Sequence, residues 1–583
     1  MLSRVSRRAL CRFAGATSLG MMAHSDGAFR AGPKVSEPLP VQPRVLRENT
    51  YDASTNRPRI RIGRFWNKKR RRTPFVSEEK QENAAEERLL LLRFSGDLTT
   101  KAPATRRQMM SRLIENLRAS IRASGRTAKI RRDRNRVFIE MDAAESEMSD
   151  VELARRLARV FGIQSVSVTH SVPWKSLEDI VAAGRKFGED HVRDRRFAIR
   201  ARRVGDRREV PIRSGDIERE LGEVLRPFAS RVDLSNPEAT VFVEVGPTRA
   251  YFFMANEKGV GGLPLGTQGN AVSLLSGGFD SPVASYRMLR RGIALDYVFC
   301  NLGGRIHQLE TMAIAKCLAD QWQCGSRPRF HAIDFDPVSR EIQDKVEMRY
   351  WQVVLKRLMI RAAEAVAAQF DAAAIVTGEA IGQVSSQTLQ NIAVISDGAR
   401  LPILRPLIGD NKDQIIAESK HVGTHDLSAK VGEYCAIVPS RPATNARLDD
   451  ILREEAKLDP SVLESALANR SEFRIDDLDL DSWKELDLSA SGVRKEDVVI
   501  DLRSKVAFDE WHYPEALFFD FSQALRAYGA FDAQKSYVLY CEFGLKSAHL
   551  ADLMKREGLE ARHVSGGLSE IKKLANQLNE TKP

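Results

Sequence analysis

Cysteine is scarce in this chain: six residues in 583, with no CxxC pair among them. That excludes a disulfide scaffold, argues against a cysteine-rich zinc module and makes a reducing compartment the default. Long apolar runs are missing too. No stretch approaches the roughly 20 apolar residues that a membrane-spanning helix needs. No GxxxxGK[ST] sequence occurs, so the Walker type of nucleotide loop is absent. There is also no internal repeat. A hydrophobic content of 43% and a mean hydropathy of -0.33 exclude both a wholly disordered chain and a polytopic membrane protein. The length implies several domains.

Charge is present in excess and unevenly placed. The 90 Lys+Arg against 78 Asp+Glu give a net charge of +12. Residues 1–90 carry 19 basic and 9 acidic side chains, residues 91–260 carry 33 and 24, and residues 261–583 carry 38 and 45. A basic front and a mildly acidic back suggest that binding and chemistry are separated, with a polyanion as partner of the front. Solvated arginine-rich helices would give the same balance.

Residues 1–87 read as a disordered basic leader, with KKRRR at 68–72. Its first 25 residues contain Arg4, Arg7, Arg8 and Arg12 and no acid, a pattern that also suits an organelle transit peptide or an over-extended start before Met21 or Met22. Order is expected from LLLLRFSGDLTTK (89–101), followed by a helix over 106–123, a strand KIRRDRNRVFIEM (129–141), a helix over 149–160 and a strand over 166–170. This makes a ferredoxin-like module over 88–165. A second α+β block over 166–257 holds the arginine-dense FAIRARRVGDRREV (197–210). Strands and helices then alternate over 258–440, the rhythm of a doubly wound parallel α/β domain. Residues 441–490 read as an acidic, irregular linker, and residues 491–583 as a last α/β unit.

Two loops carry chemistry. SGGFDS (276–281) lies between a buried strand and a helix over 281–291. Gly277 and Gly278 let backbone N–H groups crowd an anion, the helix N-terminus adds its dipole, and Ser281 before Pro282 is expected to be the N-cap. The hexapeptide resembles the pyrophosphatase (PP-loop) motif of ATP-dependent adenylating enzymes, with Asp280 holding magnesium or orienting phosphates. Nearer the C-terminus, VLYCEFGLKSAHLA (538–551) places Cys541 after an apolar strand and before a helix, where loop N–H groups, the helix dipole and Lys546 favour a thiolate. The pattern CxxGxxS resembles the active loop of rhodanese domains, framed by Asp501, Arg503 and Gly566–Gly567. A thiolate there can carry sulfane sulfur as a persulfide; a buried structural cysteine is the alternative. Cys435, in GEYCAIVPSRPAT, carries no signal by itself.

Together the blocks GVGGLPLGTQ, SLLSGGFDSPVASY, NLGG, VTGEAIGQVSSQTL, LRPLIG, GEYC and YCEFG resemble the tRNA 4-thiouridine sulfurtransferase (ThiI) family in its long form, over about residues 89–567. The leader has no counterpart there. The resemblance implies a ferredoxin-like module and a THUMP domain that grip tRNA, with Arg200, Arg202, Arg203, Arg207 and Arg208 as phosphate contacts. It implies ATP at Leu274, Leu275, Ser276, Gly277, Gly278, Ser281, Lys356, Gly378 and Gln387, with Mg2+, and adenylation of uridine 8 by Asp280 and Lys412. A cysteine desulfurase would load Cys541. Its persulfide, or sulfide released from it, would displace AMP, and Cys435 would close a disulfide with Cys541. The family's second role, sulfur supply for the thiamine thiazole through a sulfur-carrier protein, stays open, as does a homodimer. The place implied is cytoplasmic, or an organellar matrix if the leader is a transit peptide. The competing readings are a tRNA-binding PP-loop ligase and a scaffold with an inactive rhodanese domain.

Overall fold

The computed structural model of the chain describes residues 87–133, 136–141, 148–431, 439–479 and 488–580. The expected leader lies outside the described residues except for Glu87. Strands β1 (Glu87–Phe94), β2 (Ala128–Asp133), β3 (Arg136–Met141) and β4 (Ile163–Pro173) pair antiparallel in the order β2-β3-β1-β4. Helices α1 (Gly96–Thr99) and α2 (Pro103–Arg122) follow β1, and α3 (Asp150–Ala158) follows β3, which completes the ferredoxin-like plan. The run KIRRDRNRVFIEM is not one strand but a hairpin in which Ile130 faces Ile139 and Asp133 faces Arg136. Its polar middle suits a turn better than the interior of a strand.

The sheet does not stop at β4. Strand β5 (Arg196–Arg203), β6 (Arg231–Val232), β7 (Ala239–Val245) and β8 (Arg249–Phe253) extend it in the order β4-β8-β7-β5-β6, and β9 (Glu257–Lys258) also pairs with β4. The expected boundary after residue 165 therefore cuts through β4, which pairs with β1 along most of its length and with β8 at its end. Alternation puts Leu90, Leu92, Val137 and Ile139 under α2 and α3. Phe197, Ile199, Val241 and Phe252 lie under α4 (Leu177–Val192) and α5 (Ser214–Leu225). On the opposite face Glu244 accepts from Arg93 at 2.7 Å and from Arg136 at 3.1 Å.

The second sheet has the order β14-β13-β10-β11-β12-β15, built from β10 (Asn270–Leu274), β11 (Ala294–Asn301), β12 (Arg329–Asp334), β13 (Ala372–Val376), β14 (Ile403–Leu404) and β15 (Ser471–Arg474). All pairs are parallel except β12 with β15. The chain runs outward through β10, β11 and β12, then returns to the other side of β10 with β13. The crevice at the carboxyl ends of β10 and β13 is thus the topological switch point, where such sheets bind ligands. Helices α6 (Asp280–Arg290), α7 (Gly304–Trp322), α8 (Asp336–Lys345), α9 (Trp351–Ala367), α10 (Leu389–Asp397), α11 (Lys412–Val422) and α12 (His425–Val431) connect these strands or follow them.

The stretch 441–490, expected to be an irregular linker, is instead largely structured. It forms α13 (Leu448–Glu455), α14 (Pro460–Ala468) and β15, with Ile451, Ala466 and Ile475 buried against the second sheet. Its acidity hides this: Glu455 is itself buried and held by Arg357 at 2.7 Å. Residues 480–487 of that stretch lie outside the described residues. A third, parallel sheet of order β17-β16-β18-β19 follows, from β16 (Val498–Asp501), β17 (Leu517–Phe518), β18 (Ser536–Tyr540) and β19 (Glu560–His563). Helices α15 (Lys505–Glu510), α16 (Phe521–Ala527), α17 (Leu545–Arg556) and α18 (Leu568–Glu580) accompany it. Helix α17 packs on α7, and Ile306 of α7 joins the core around Cys541.

Candidate active site

The loop after β10 begins where Leu275 N–H donates to the Val298 carbonyl at 2.9 Å, still in the manner of the sheet. Residues 276–279 then turn into α6. The helix starts at Asp280 rather than at Ser281, so Ser281 is not the N-cap. Its hydroxyl accepts from Ser276 N–H at 2.8 Å and lies 3.1 Å from the Ser276 hydroxyl, tying the loop closed. A Cβ on Gly277 would overlap the Val431 side chain of α12, so only glycine allows the close approach of that helix. The N-terminus of α6 faces the crevice with its dipole favouring an anion.

Two ion-pair groups border this loop. Lys412, the first residue of α11, sits 3.0 Å from Asp280 Oδ1, and Gln383 donates to Asp280 Oδ2 at 2.8 Å. Asn411 and Gln414 form a capping box that fixes where α11 starts and hence where Lys412 stands. Across the crevice Lys356 is 3.1 Å and Arg405 is 2.7 Å from the Glu379 carboxylate. Burial pushes that carboxyl up, but the two cations outweigh it and hold it below its ordinary value. Between these groups lies a cavity of about 190 Å³ with an aliphatic wall from Leu274, Met359, Ile360 and Ile395, and with Ser276, Ser281, Gly378 and Gln387 at its edge.

Aliphatic wall, glycine loop and lysine rim fit a nucleoside triphosphate. Of the residues expected at ATP, Leu274, Ser276, Ser281, Lys356, Gly378 and Gln387 line this cavity. Gly277 and Gly278 line its neighbour, while Leu275 is buried in the sheet core. Sequence reasoning missed Glu379, Arg405 and Gln383, although they stand in the quoted blocks VTGEAIGQVSSQTL and LRPLIG; nothing in one sequence marks Glu379 as the carboxylate that aligns Lys356.

The second loop is compact. Cys541 follows β18 and is 4% exposed. Gly544 N–H donates to its Sγ at 3.2 Å, and the Ser547 hydroxyl lies at 3.6 Å. Helix α17 starts one residue later, so its N-terminus points at the sulfur. Lys546, expected beside the thiolate, instead places Nζ 5.5 Å from the centre of the Phe521 ring. Beneath the loop, Asp501 is fully buried, bound by Arg503 at 2.7 Å and by the Tyr540 hydroxyl at 2.6 Å. Cys435 lies outside the described residues; Val431, four residues before it, is the side chain that touches Gly277.

Comparison with known proteins gives four matches in chain order. The ThiI ferredoxin-like domain matches residues 89–167, the THUMP domain 175–255, the family described as Thiamine biosynthesis protein (ThiI) 266–459, and the rhodanese-like domain 486–574. The tRNA sulfurtransferase of Pyrobaculum aerophilum is 34% identical over 80% of this chain and 94% of its own. The tRNA sulfurtransferase of Haemophilus ducreyi is 33% identical over 81% and 98%. The chain belongs to the tRNA sulfurtransferase (ThiI) family. Among solved structures, a 4-thiouridine synthetase–RNA complex with bound ATP is similar at 28% identity and a TM-score of 0.58, covering 67% of this chain and 99% of that one.

In this ThiI-family chain the THUMP arginines do not form one patch. Arg200 and Arg202 are exposed and share a strand face, whereas Arg203 is half-buried on the other, donating towards the Val210 carbonyl at 3.4 Å. Arg207 and Arg208 are exposed in the turn beyond β5. The face of Arg200 and Arg202 also carries Arg93 and Arg136, and Arg131 stacks over Phe138 at 4.6 Å. These three ferredoxin-like arginines do not stand out in the sequence, because they share a face with Arg200 and Arg202 only once β4 and β8 pair.

Proposed function

We propose that the chain is an ATP-dependent tRNA uracil 4-sulfurtransferase that converts uridine 8 to 4-thiouridine. The observation that carries this reading is the meeting of the phosphate loop, the Asp280–Lys412 pair and Lys356 at the switch point, beside a cavity with an aliphatic wall. The similar solved structure holds RNA and ATP, which supports both as ligands here. Residues 88–257 grip tRNA through Arg200, Arg202, Arg207 and Arg208, with Arg203 supporting from behind. Residues 258–440, extended by the elements up to residue 479, adenylate. Residues 491–583 carry sulfur.

In adenylation the uridine 4-oxygen bonds to the α-phosphorus, the bond to the β-phosphate bridge breaks, and pyrophosphate leaves with the electron pair. Lys412 acts as a point charge on the transferring phosphate, held in place by Asp280 until the nucleotide arrives. Lys356 is aligned by Glu379 towards the same charge. Mg2+ is held in such sites by phosphate oxygens, waters and one or two carboxylates; Asp280 would supply a carboxylate, and the ion would shield phosphate charge.

A cysteine desulfurase loads Cys541. The outer persulfide sulfur attacks C4 and AMP leaves. The Cys435 thiolate then attacks Cys541 Sγ, freeing the thiolated base and forming a disulfide, which a thiol reductant reopens by supplying two electrons. If Cys435 attacks first, hydrosulfide is released and itself displaces AMP; the electron balance is the same. The family's description as a thiamine biosynthesis protein supports a second use of this sulfur, delivery to a sulfur-carrier protein for thiazole synthesis. Among the described residues no helix is long and apolar enough to cross a membrane, and a cytoplasmic place of action suits a tRNA substrate.

The test is the near-ultraviolet absorbance of 4-thiouridine in tRNA incubated with the chain, ATP, a desulfurase and cysteine. Absence of the thionucleoside overturns the reading. Full turnover by a Cys541→Ser variant removes only the persulfide step.

A further inference from the structure

The phosphate loop borders two cavities, not one. The second, of about 290 Å³, shares Ser276, Asp280, Lys356, Met359 and Gln387 with the first but reaches Leu302 and His307, after β11, where the first reaches Thr377, Gly378 and Glu379, after β13. Like the first it has aliphatic walls, here from Leu302, Leu355, Met359 and Val384, but to these it adds Gly277, Gly278, His307, Gln352 and Gln383. Such a set supplies both donors and acceptors at fixed positions, which suits the carbonyl and N–H edge of a pyrimidine.

His307 is the most firmly placed of these. Gly303 lies so close to its ring that a Cβ there would stand 2.7 Å from Nδ1, while a Cβ on Gly277 would be in ordinary contact with Nε2 at 3.4 Å. Phe299 meets the ring edge-on, with centroids 4.9 Å apart. Gln352 is fixed through its Oε1, which accepts from the Ser385 hydroxyl at 2.9 Å, and Gln383 through its bond to Asp280.

The sulfur-bearing unit meets the adenylating domain on this side. Helix α17, which starts at the Cys541 loop, packs on α7, which starts at the rim of the second cavity. His549 of α17 lies against Gly304, a residue with φ +74 where a Cβ would overlap the imidazole. Ile306, next to His307, packs into the core that contains Cys541. The first cavity has no residue of α7 in its lining.

We propose that the second cavity is the seat of the flipped target uracil, with His307, Gln352 and Gln383 touching its polar edge, while the first cavity takes the adenine. This rests on the sulfurtransferase reading above and adds where the acceptor base binds. It puts the uracil 4-oxygen beside the loop that holds the α-phosphate, and on the side from which sulfur arrives. The imidazole of His307 is pushed down to about 4 by burial and by His549, so it meets the base as a neutral group able to donate from one nitrogen and accept at the other.

The test uses tRNA that already carries 4-thiouridine at position 8, a base whose sulfur cross-links to touching side chains under near-ultraviolet light. The full chain is mixed with this tRNA, irradiated and digested, and the cross-linked peptide is sequenced by mass spectrometry. The expected cross-link falls on residues 302–307, on Gln352 or on residues 383–386. A cross-link on Ile360, Thr377 or Ile395, or no cross-link within the adenylating domain, overturns the proposal. His307→Ala and, as a second variant should the first fail to fold, Gln352→Glu should lower tRNA-dependent pyrophosphate exchange at least tenfold and leave binding of a fluorescent ATP analogue unchanged. Unchanged exchange in a folded variant also overturns it. If the wild-type chain makes 4-thiouridine but cross-links elsewhere, only this inference fails; if it makes none, the sulfurtransferase reading fails.

Discussion

Lys412 Nζ lies 3.0 and 3.1 Å from the two carboxylate oxygens of Asp280, although the two residues are 132 apart in the chain. One stands at the first position of α11, the other at the first position of α6, so the pair joins two helix N-termini across the switch-point crevice. Exposed or half-exposed pairs of this kind contribute about 0–1 kcal/mol to stability. Their placement therefore points to the reaction rather than to the fold.

From this we expect Lys412→Met and Asp280→Asn to lower adenylation sharply, on the order of a hundredfold, the usual effect of removing a group that stabilises charge in a transition state. The melting temperature should move little. Lys412→Arg should restore only part of the rate, since a planar guanidinium is a poor substitute for a compact charge. Pyrophosphate exchange and a thermal melt on the same preparations check both halves. A large loss of stability with unchanged exchange would contradict this assignment.

How much of this was legible in the sequence depends on how far apart in the chain the interacting residues stand. SGGFDS and CEFGLKS are local strings whose strand–loop–helix setting shows in their neighbours, and both stand where they were read. The start of α6 was off by one residue, because Ser281 looks like a cap from its type but spends its hydroxyl on Ser276 N–H, three-dimensional information that no spacing carries. The acidic stretch 441–490 misled for a similar reason. Composition says solvated, whereas Ile451 and Ile475 are buried and Glu455 has a buried arginine partner, Arg357. The arginine run of β5 misled by its density: a strand alternates, so neighbours in sequence point to opposite faces.

That alternation changes which charges should matter for RNA. Arg200→Glu with Arg202→Glu should weaken tRNA binding and reduce the slope of log affinity against log salt by about one for each phosphate no longer neutralised. Arg203→Glu faces the packed side of β5 and should act mainly on stability. Filter binding at several salt concentrations, beside ATP binding, separates these outcomes. Equal loss of ATP binding in the Arg200 and Arg202 variant would contradict the division between gripping and chemistry.

The buried Asp501–Arg503–Tyr540 group predicts a variant that damages the sulfur unit alone. Removing one partner of a buried ion pair leaves an uncompensated charge and costs about 3–5 kcal/mol. Asp501→Ala should therefore unfold the C-terminal unit near its normal working temperature, as read by limited proteolysis around residues 498–563. Because Asp501 is in the sheet beneath Cys541 and far in sequence from the phosphate loop, tRNA-dependent pyrophosphate exchange should survive while thiolation stops. Loss of both would mean that the third sheet supports the adenylating domain.

Glu310 on α7 offers a pH signature with a definite sign. Its carboxyl is pushed up from 4.5 to about 7, chiefly by burial, against a smaller opposing pull from Lys430. Its Oε2 is buried without a hydrogen-bond partner among the described residues. The folded state thus holds a proton that the unfolded state has already released. Its contribution to stability is full below about pH 4.5 and is lost as the pH rises through about 7. His307 and His331 work the other way. Burial lowers both from 6.5 to about 4, so the unfolded state takes up protons first and stability falls as the pH drops from about 6.5 towards 4. Between these limits the two effects oppose, which flattens the profile of the wild-type chain. Glu310→Gln removes one side of the balance. Its melting temperature should exceed that of the wild type at pH 8 and converge on it near pH 5, with a steeper dependence in between. Parallel melting curves for the two proteins across pH 5–8 would show that Glu310 is ionised in the fold throughout.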